Sequence, residues 1–231
     1  PAPQPSPTAR AIAPSTAPPT APASGTPPSD PAARAAFYLD RAKAGDAAAQ
    51  FDVGVLYARG DGLVQDLVSA ASWFHAAAAQ GNIAAEYNLG VMYERGLGVT
   101  PSAIEALNWY RSAADRDHPG AQFNLAVAYA EGRGAEQDLA AAARWYQRAG
   151  EQGMAPAMVN LAILYERGRG LDRSLIDAYA WYRAAAERGD DPAKQRADEI
   201  YRQFSEHDKA RADGLAATIA VTIHTPATPP A

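Results

Sequence analysis

The chain has 231 residues, 48% of them hydrophobic, enough to bury a sizeable core, and a formal net charge of -5. That balance gives no electrostatic reason to approach nucleic acid or an anionic membrane surface, where cationic side chains supply the attraction. Cysteine is absent, which excludes a disulfide framework, a thiolate nucleophile and a Cys-based zinc site and leaves the redox compartment open.

Residues 1–30 hold ten of the 18 prolines, mixed with Ala, Ser and Thr, and only Arg10 and Asp30 are charged. Such a segment cannot bury enough apolar surface to offset the entropy of ordering, so it reads as an extended, polyproline-like linker. Proline tracts also serve as ligands for aromatic grooves, but the Ala and Thr content favours a spacer. The first residue is Pro1, so a targeting signal or membrane anchor is expected upstream of this sequence. No stretch approaches the roughly 18 apolar residues of a membrane helix.

Order is expected to begin at Asp30-Pro31, a side-chain cap followed by proline at the first helical position. From there a period of 36 residues governs the chain. Tyr57 repeats at Tyr93, Tyr129 and Tyr165, and Trp73 at Trp109, Trp145 and Trp181; the pair Gly60/Gly62 repeats at Gly96/Gly98, Gly132/Gly134 and Gly168/Gly170. Self-similarity at this length marks a stack of supersecondary units, none able to bury its apolar face alone. The reading is a solenoid over 31–219: a half repeat at 31–44, full repeats at 45–80, 81–116, 117–152 and 153–188, and a degenerate repeat at 189–219. An extended tail is expected over 220–231.

Each unit reads as two helices. In the second unit Ala85, Leu89, Met92 and Tyr93 make one apolar stripe and Ala106, Trp109, Tyr110, Ala113 and Ala114 another. Asp46 and Asn82 are expected caps of first helices, Thr100 and Asp172 of second helices. The glycines between them end the first helix and turn the chain, the first in the left-handed conformation. Gly54, Gly90, Ala126 and Ala162 let the paired helices approach while Tyr and Trp fill the gaps between units. Truncating Trp109 is expected to cost about 3–5 kcal/mol.

Few residues suggest chemistry. The G-x-G pairs lack a preceding strand and the P-loop Lys-Ser/Thr, so they are turns and not phosphate loops. His75, His118, His207 and His224 are scattered, with no metal-ligand spacing, and no metal or cofactor is expected. The run Ser205-Glu206-His207-Asp208 opens a final helix more simply than it makes an acid/base site. β-Branched residues crowd 217–224 and suggest an extended arm, covering the last helix or pairing with a partner. Asp52, Asn88, Asn124 and Asn160 form a polar column, read as local structure ahead of ligand binding.

The string A-E-Y-N-L-G-V-M-Y-E-R-G-L-G-V from Ala85, followed by A-L-N-W-Y-R-S-A-A from Ala106, resembles the Sel1-like repeat, a relative of the tetratricopeptide repeat. The resemblance implies an all-α, right-handed α/α solenoid acting as a non-catalytic adaptor or scaffold. The layout of proline-rich linker and repeats is similar to bacterial polar-localisation and envelope-regulatory proteins, implying a periplasmic location. If the related solenoids are a guide, first helices line the concave face, with columns Phe51, Tyr87, Phe123, Val159; Val55, Val91, Val127, Ile163; and Ala58, Glu94, Ala130, Glu166. Partner binding is expected at Phe51, Tyr87, Phe123, Val91 and Val127, with Glu94 and Glu166 selecting a segment that carries a basic residue. The alternative is that neighbouring helices consume these side chains. A peptidoglycan-binding module is the second functional class and a hydrolase the remote third.

Overall fold

Caps and prolines set where each helix starts. In the computed structural model, which describes residues 25–224, there are eleven α-helices and, among the described residues, no strand. Residues 1–24 of the expected linker and 225–231 of the expected tail lie outside the described residues. Helix α1 (Pro31–Lys43) is capped by Asp30, whose carboxylate accepts from the Ala33 amide at 2.8 Å. Four hairpins follow: α2 (Ala47–Arg59) with α3 (Leu67–Ala79), α4 (Ile83–Arg95) with α5 (Ala103–Asp115), α6 (Pro119–Glu131) with α7 (Leu139–Glu151), and α8 (Ala155–Arg167) with α9 (Leu175–Ala186). Helices α10 (Asp191–Tyr201) and α11 (Glu206–His224) end the chain. Asp46 and Asn82 cap α2 and α4. Thr100 and Asp172 do not cap the second helices; Ser102 and Ser174 do, in the same step as Asp66 and Asp138, because α5 and α9 begin three residues later.

The two glycines of each loop have different tasks. Gly96 ends α4 at φ 67°, its amide bonded to the Met92 carbonyl, so the first glycine is the left-handed stop. Gly98 carries the contact between units: a Cβ built there would lie 2.2 Å from the Leu67 carbonyl oxygen at the start of α3. The corresponding distances are 2.1 Å from Gly62 to the Pro31 oxygen and 2.2 Å from Gly134 to the Ala103 oxygen. Each loop thus leans, backbone to backbone, on the second helix of the preceding unit.

Within a hairpin, the fully buried aromatic is the residue after each Trp. Phe74, Tyr110, Tyr146 and Tyr182 are 2–5% exposed and lie over the small residue of the first helix. A Cβ on Gly90 would come within 2.5 Å of the Tyr110 ring, and one on Gly54 within 2.6 Å of Phe74. The Trp side chains wedge between second helices instead. Trp109 stands 5.4 Å from His75 on α3, half-buried, its indole nitrogen without a partner; Trp181 is buried against Gly150 of α7. A buried polar rung adds to the stack: Gln122 donates to the Ala114 carbonyl at 3.2 Å and accepts from Gln152 at 2.7 Å. Gln50 does the same with Ala42 and Gln80, whereas Glu86 in the second unit pairs with Arg116 and leaves Oε2 without a partner.

The ends depart from the repeat. On α1, Arg34 and Arg41 replace the alanines of the interior units (Ala70 and Ala77 in α3) and pair with Asp61 and Asp46. On α10, Asp198 stands where Ala162 would. Residues 217–224, read as an extended arm, and the described part of the expected tail are helical. α11 starts at a Ser205 cap, turns away from α10, packs along α9 and reaches α7, burying Ala212 and Ile219. The tertiary seat overrides the β-branched composition. Ala180 and Ala184 provide that seat, 0% and 3% exposed, where the other units carry Ser72/Ala76, Asn108/Ser112 and Arg144/Arg148.

Candidate interaction surface

In the central units the first helices α4 and α6 approach each other, while Trp109 is wedged between the second helices α3 and α5, so the first helices are taken as the inner side of the stack. On the inner side lie the two apolar columns expected from the sequence. Phe51, Tyr87, Phe123 and Val159 are half-buried, as are Val55, Val91, Val127 and Ile163. The aromatic members lean on the buried ring of their own hairpin, with centroids 5.7 Å apart for Phe51 and Phe74, 6.1 Å for Tyr87 and Tyr110, and 5.9 Å for Phe123 and Tyr146. Packing therefore takes much of each ring, and in Tyr87 the stacked His118 takes a further face, leaving an edge of each in solvent.

Glu94 and Glu166 are committed within the chain. Glu94 accepts from the Tyr110 hydroxyl at 2.8 Å and from Arg133 of the next unit at 2.5 Å. Glu166 repeats the arrangement, accepting from Tyr182 at 3.0 Å and from Arg196. Arg196, followed by Tyr182, holds the Glu166 carboxyl below the usual range, and burial is the first cause of the raised Tyr110 and Tyr182 hydroxyls. Each acid is a clasp between adjacent units, not a free charge for a basic ligand. Beside the first clasp, Ala103 replaces the leucine of the other units (Leu67, Leu139, Leu175), and a cleft of about 200 Å³ opens, lined by Pro101, Ala103, Leu107, Tyr110, Glu94 and Arg133 among others.

The polar column also belongs to the framework. Asn88 donates to the Ala84 carbonyl at 2.8 Å; Asn124 and Asn160 meet the hydroxyls of Tyr110 and Tyr146, the latter pushed up to about 12, mainly by burial. Asp52 is the exception, with burial and then Asp46 raising its carboxyl. One cationic column escaped sequence reasoning. Arg59, Arg95 and Arg167, exposed in the last turns of α2, α4 and α8, follow the Val column by four residues; Glu131 holds the place in α6. The 36-residue step was the signal that could have found them.

His118 caps α6 through its ring: Nδ1 accepts from the Ala121 amide at 3.1 Å, and the imidazole stacks on Tyr87 with centroids 4.5 Å apart. Only a neutral ring has that lone pair, and burial holds its pKa below 6.5. The folded protein thus binds this proton less readily than the unfolded chain. The contribution of this cap to stability is full above pH 6.5 and is lost as pH falls through the lowered folded value. In His118→Asn the cap persists in the form Asn82 uses, so urea unfolding at neutral and mildly acid pH should show a flatter dependence, with about 1 kcal/mol more stability retained in acid. Equal pH dependence in the two proteins would refute this.

Among the described residues no cluster of three or more His, Asp or Glu side chains is placed to hold a metal ion, and no helix is long and apolar enough to cross a membrane. The Sel1 repeat family matches residues 47–82, 83–118, 119–154 and 155–190, so the four hairpins and their connections are accounted for. The chain belongs to the Sel1 repeat family, and its fold is an all-α solenoid. It is similar to the crystal structure of c5321, a protective antigen present in uropathogenic Escherichia coli strains displaying an SLR fold. That likeness has 29% identity and a TM-score of 0.73 over 82% of this chain and 42% of that one. It is similar also to a Sel1 repeat protein from Oxalobacter formigenes, with 36% identity and a TM-score of 0.68 over 74% of this chain and 49% of that one. The chain spans less than half the length of either solved relative. No curated protein matches it. Sel1 repeat proteins are generally protein-interaction scaffolds.

Proposed function

We propose that this protein is a non-catalytic scaffold holding a helix or extended segment of another protein along the inner face of α2, α4, α6 and α8, in the bacterial envelope. The observation that carries the reading is the pair of half-exposed apolar columns, aromatic and β-branched, continued in register from unit to unit. A surface built this way buries apolar side chains of a ligand without rearranging its own core. Cross-linking of the full chain in cells, compared with Tyr87→Ala and Phe123→Ala, tests it. A specific partner should be captured by the parent and reduced about tenfold or more in the double variant, its fold checked by thermal unfolding. Capture unchanged by both substitutions would defeat the reading.

The envelope location rests on the proline-rich residues 1–30 joined to a repeat solenoid, and a β-lactamase fusion expressed with its native upstream region tests export. Glycan binding is the less favoured alternative. One face of Tyr87 is occupied by His118 and another side by Tyr110, leaving little of the ring for stacking on a sugar. Co-sedimentation with purified peptidoglycan separates the two.

A further inference from the structure

Apart from Asp52, the side chains of the inner face that carry charge and form no ion pair are arginines. Glu94, Glu131 and Glu166 are each paired with an arginine, Arg133 for the first two and Arg196 for the third. Arg59, Arg95 and Arg167 are exposed and have no ion-pair partner among the described residues. They lie one helical turn beyond Val55, Val91 and Ile163, on the same face of their helices. An apolar floor is thus bordered along one edge by guanidinium groups, in a chain whose net charge is -5. Arginine in a last turn also opposes the negative end of the helix dipole, a modest effect on stability that leaves its donors free for a ligand.

We propose that the segment bound on the inner face is acidic: apolar side chains lie along Phe51, Tyr87 and Phe123, and Asp or Glu carboxylates meet Arg59, Arg95 and Arg167. This reverses the charge expected when Glu94 and Glu166 were counted as free, and it rests on the reading that the inner face is the binding face. The chain's own termini do not supply such a ligand. Residues 1–24 carry one charged side chain, Arg10, and residues 225–231 none. Asp52, the unpaired carboxylate of the face, sits in α2 on the turn before Val55 and away from the arginine edge.

Short random peptides displayed on phage and selected against the full chain provide the test. Selected sequences are then synthesised with a fluorescent label and titrated at low and high salt. The expected result is selection of peptides that combine apolar residues with Asp or Glu. They should weaken with salt and lose about tenfold or more in affinity for R59E/R95E/R167E, while thermal unfolding of that variant stays near the parent's. Neutral or basic winners overturn the proposal, as does failure to select any binder. Winners indifferent to the arginine reversal but lost with Tyr87→Ala and Phe123→Ala keep the binding face and overturn its acidic partner; winners indifferent to both sink both. Self-association abolished by R59E/R95E/R167E in sedimentation would also overturn it, by making a second copy the occupant.

Discussion

Tyr110→Ala should lower the stability of the chain by about 3–5 kcal/mol in urea unfolding, more than the same truncation of Trp109. Tyr110 is 2% exposed, its ring lies on the backbone of Gly90, and its hydroxyl donates to Glu94 at 2.8 Å. Deleting it opens a cavity inside one hairpin and removes a partner from the Glu94–Arg133 clasp to the next. In a stack stabilised by nearest-neighbour interfaces, both losses weaken the units on either side. Trp109 is half-buried and already leaves its indole nitrogen without a partner, so less is lost with it. Tyr110→Phe separates the two contributions: it keeps the packing and gives up one hydrogen bond, about 1 kcal/mol. If Trp109→Ala proves the more damaging truncation, the buried column has been misassigned.

Gly98→Ala is expected to cost about 2–5 kcal/mol, against about 1 kcal/mol for Gly96→Ala two residues earlier. Both glycines have positive φ, 70° and 67°, so both variants carry the left-handed penalty of an L-residue. What differs is the neighbour. At Gly96 the added methyl meets the Pro101 ring at 3.3 Å, an overlap that a shift of a few tenths of an ångström relieves; at Gly98 it meets the Leu67 carbonyl carbon and oxygen at 2.3 and 2.2 Å. Backbone cannot yield without parting the loop from the preceding helix. Thermal unfolding of the two variants side by side decides it, and equal losses would mean that the second glycine serves only the turn.

Periodicity exposed the architecture because repetition turns weak local signals into a strong one. The Trp and Tyr steps, the G-x-G pairs, the small residues at Gly54 and Gly90 and the caps at Asp46 and Asn82 were all readable before any coordinates. Thr100 and Asp172 misled because each is itself a residue that caps helices, Thr100 with Pro101 after it, and only the step from Asp66 to Ser102 and from Asp138 to Ser174 shows which residue is in phase. The two aromatic columns are adjacent in sequence and equally apolar. Which of them is buried depends on how the second helix rotates over the first, and that is decided by the gap at Gly90.

The inner face was legible as residues but not as charge. Glu94 and Glu166 are in phase with Ala58 and Ala130, so they looked like decorations added for a ligand. Their partners lie 39 and 30 residues downstream, Arg133 in a loop and Arg196 in a decayed unit, outside any local pattern. The course of α11 was hidden for a related reason. Its seat is recorded in α9, as Ala180 and Ala184, and not in the β-branched residues of the helix itself.

A stack of like units is complementary to itself, so an open first face fits an open last face and assembly would continue into filaments. Ion pairs Arg34–Asp61 and Arg41–Asp46 at one end, and Asp198 at the other, place charges where interior units pack alanine. Docking another molecule end to end would strip water from those charges for little apolar gain. A 36-residue unit inserted between these charged ends would lengthen the stack without exposing a new apolar end.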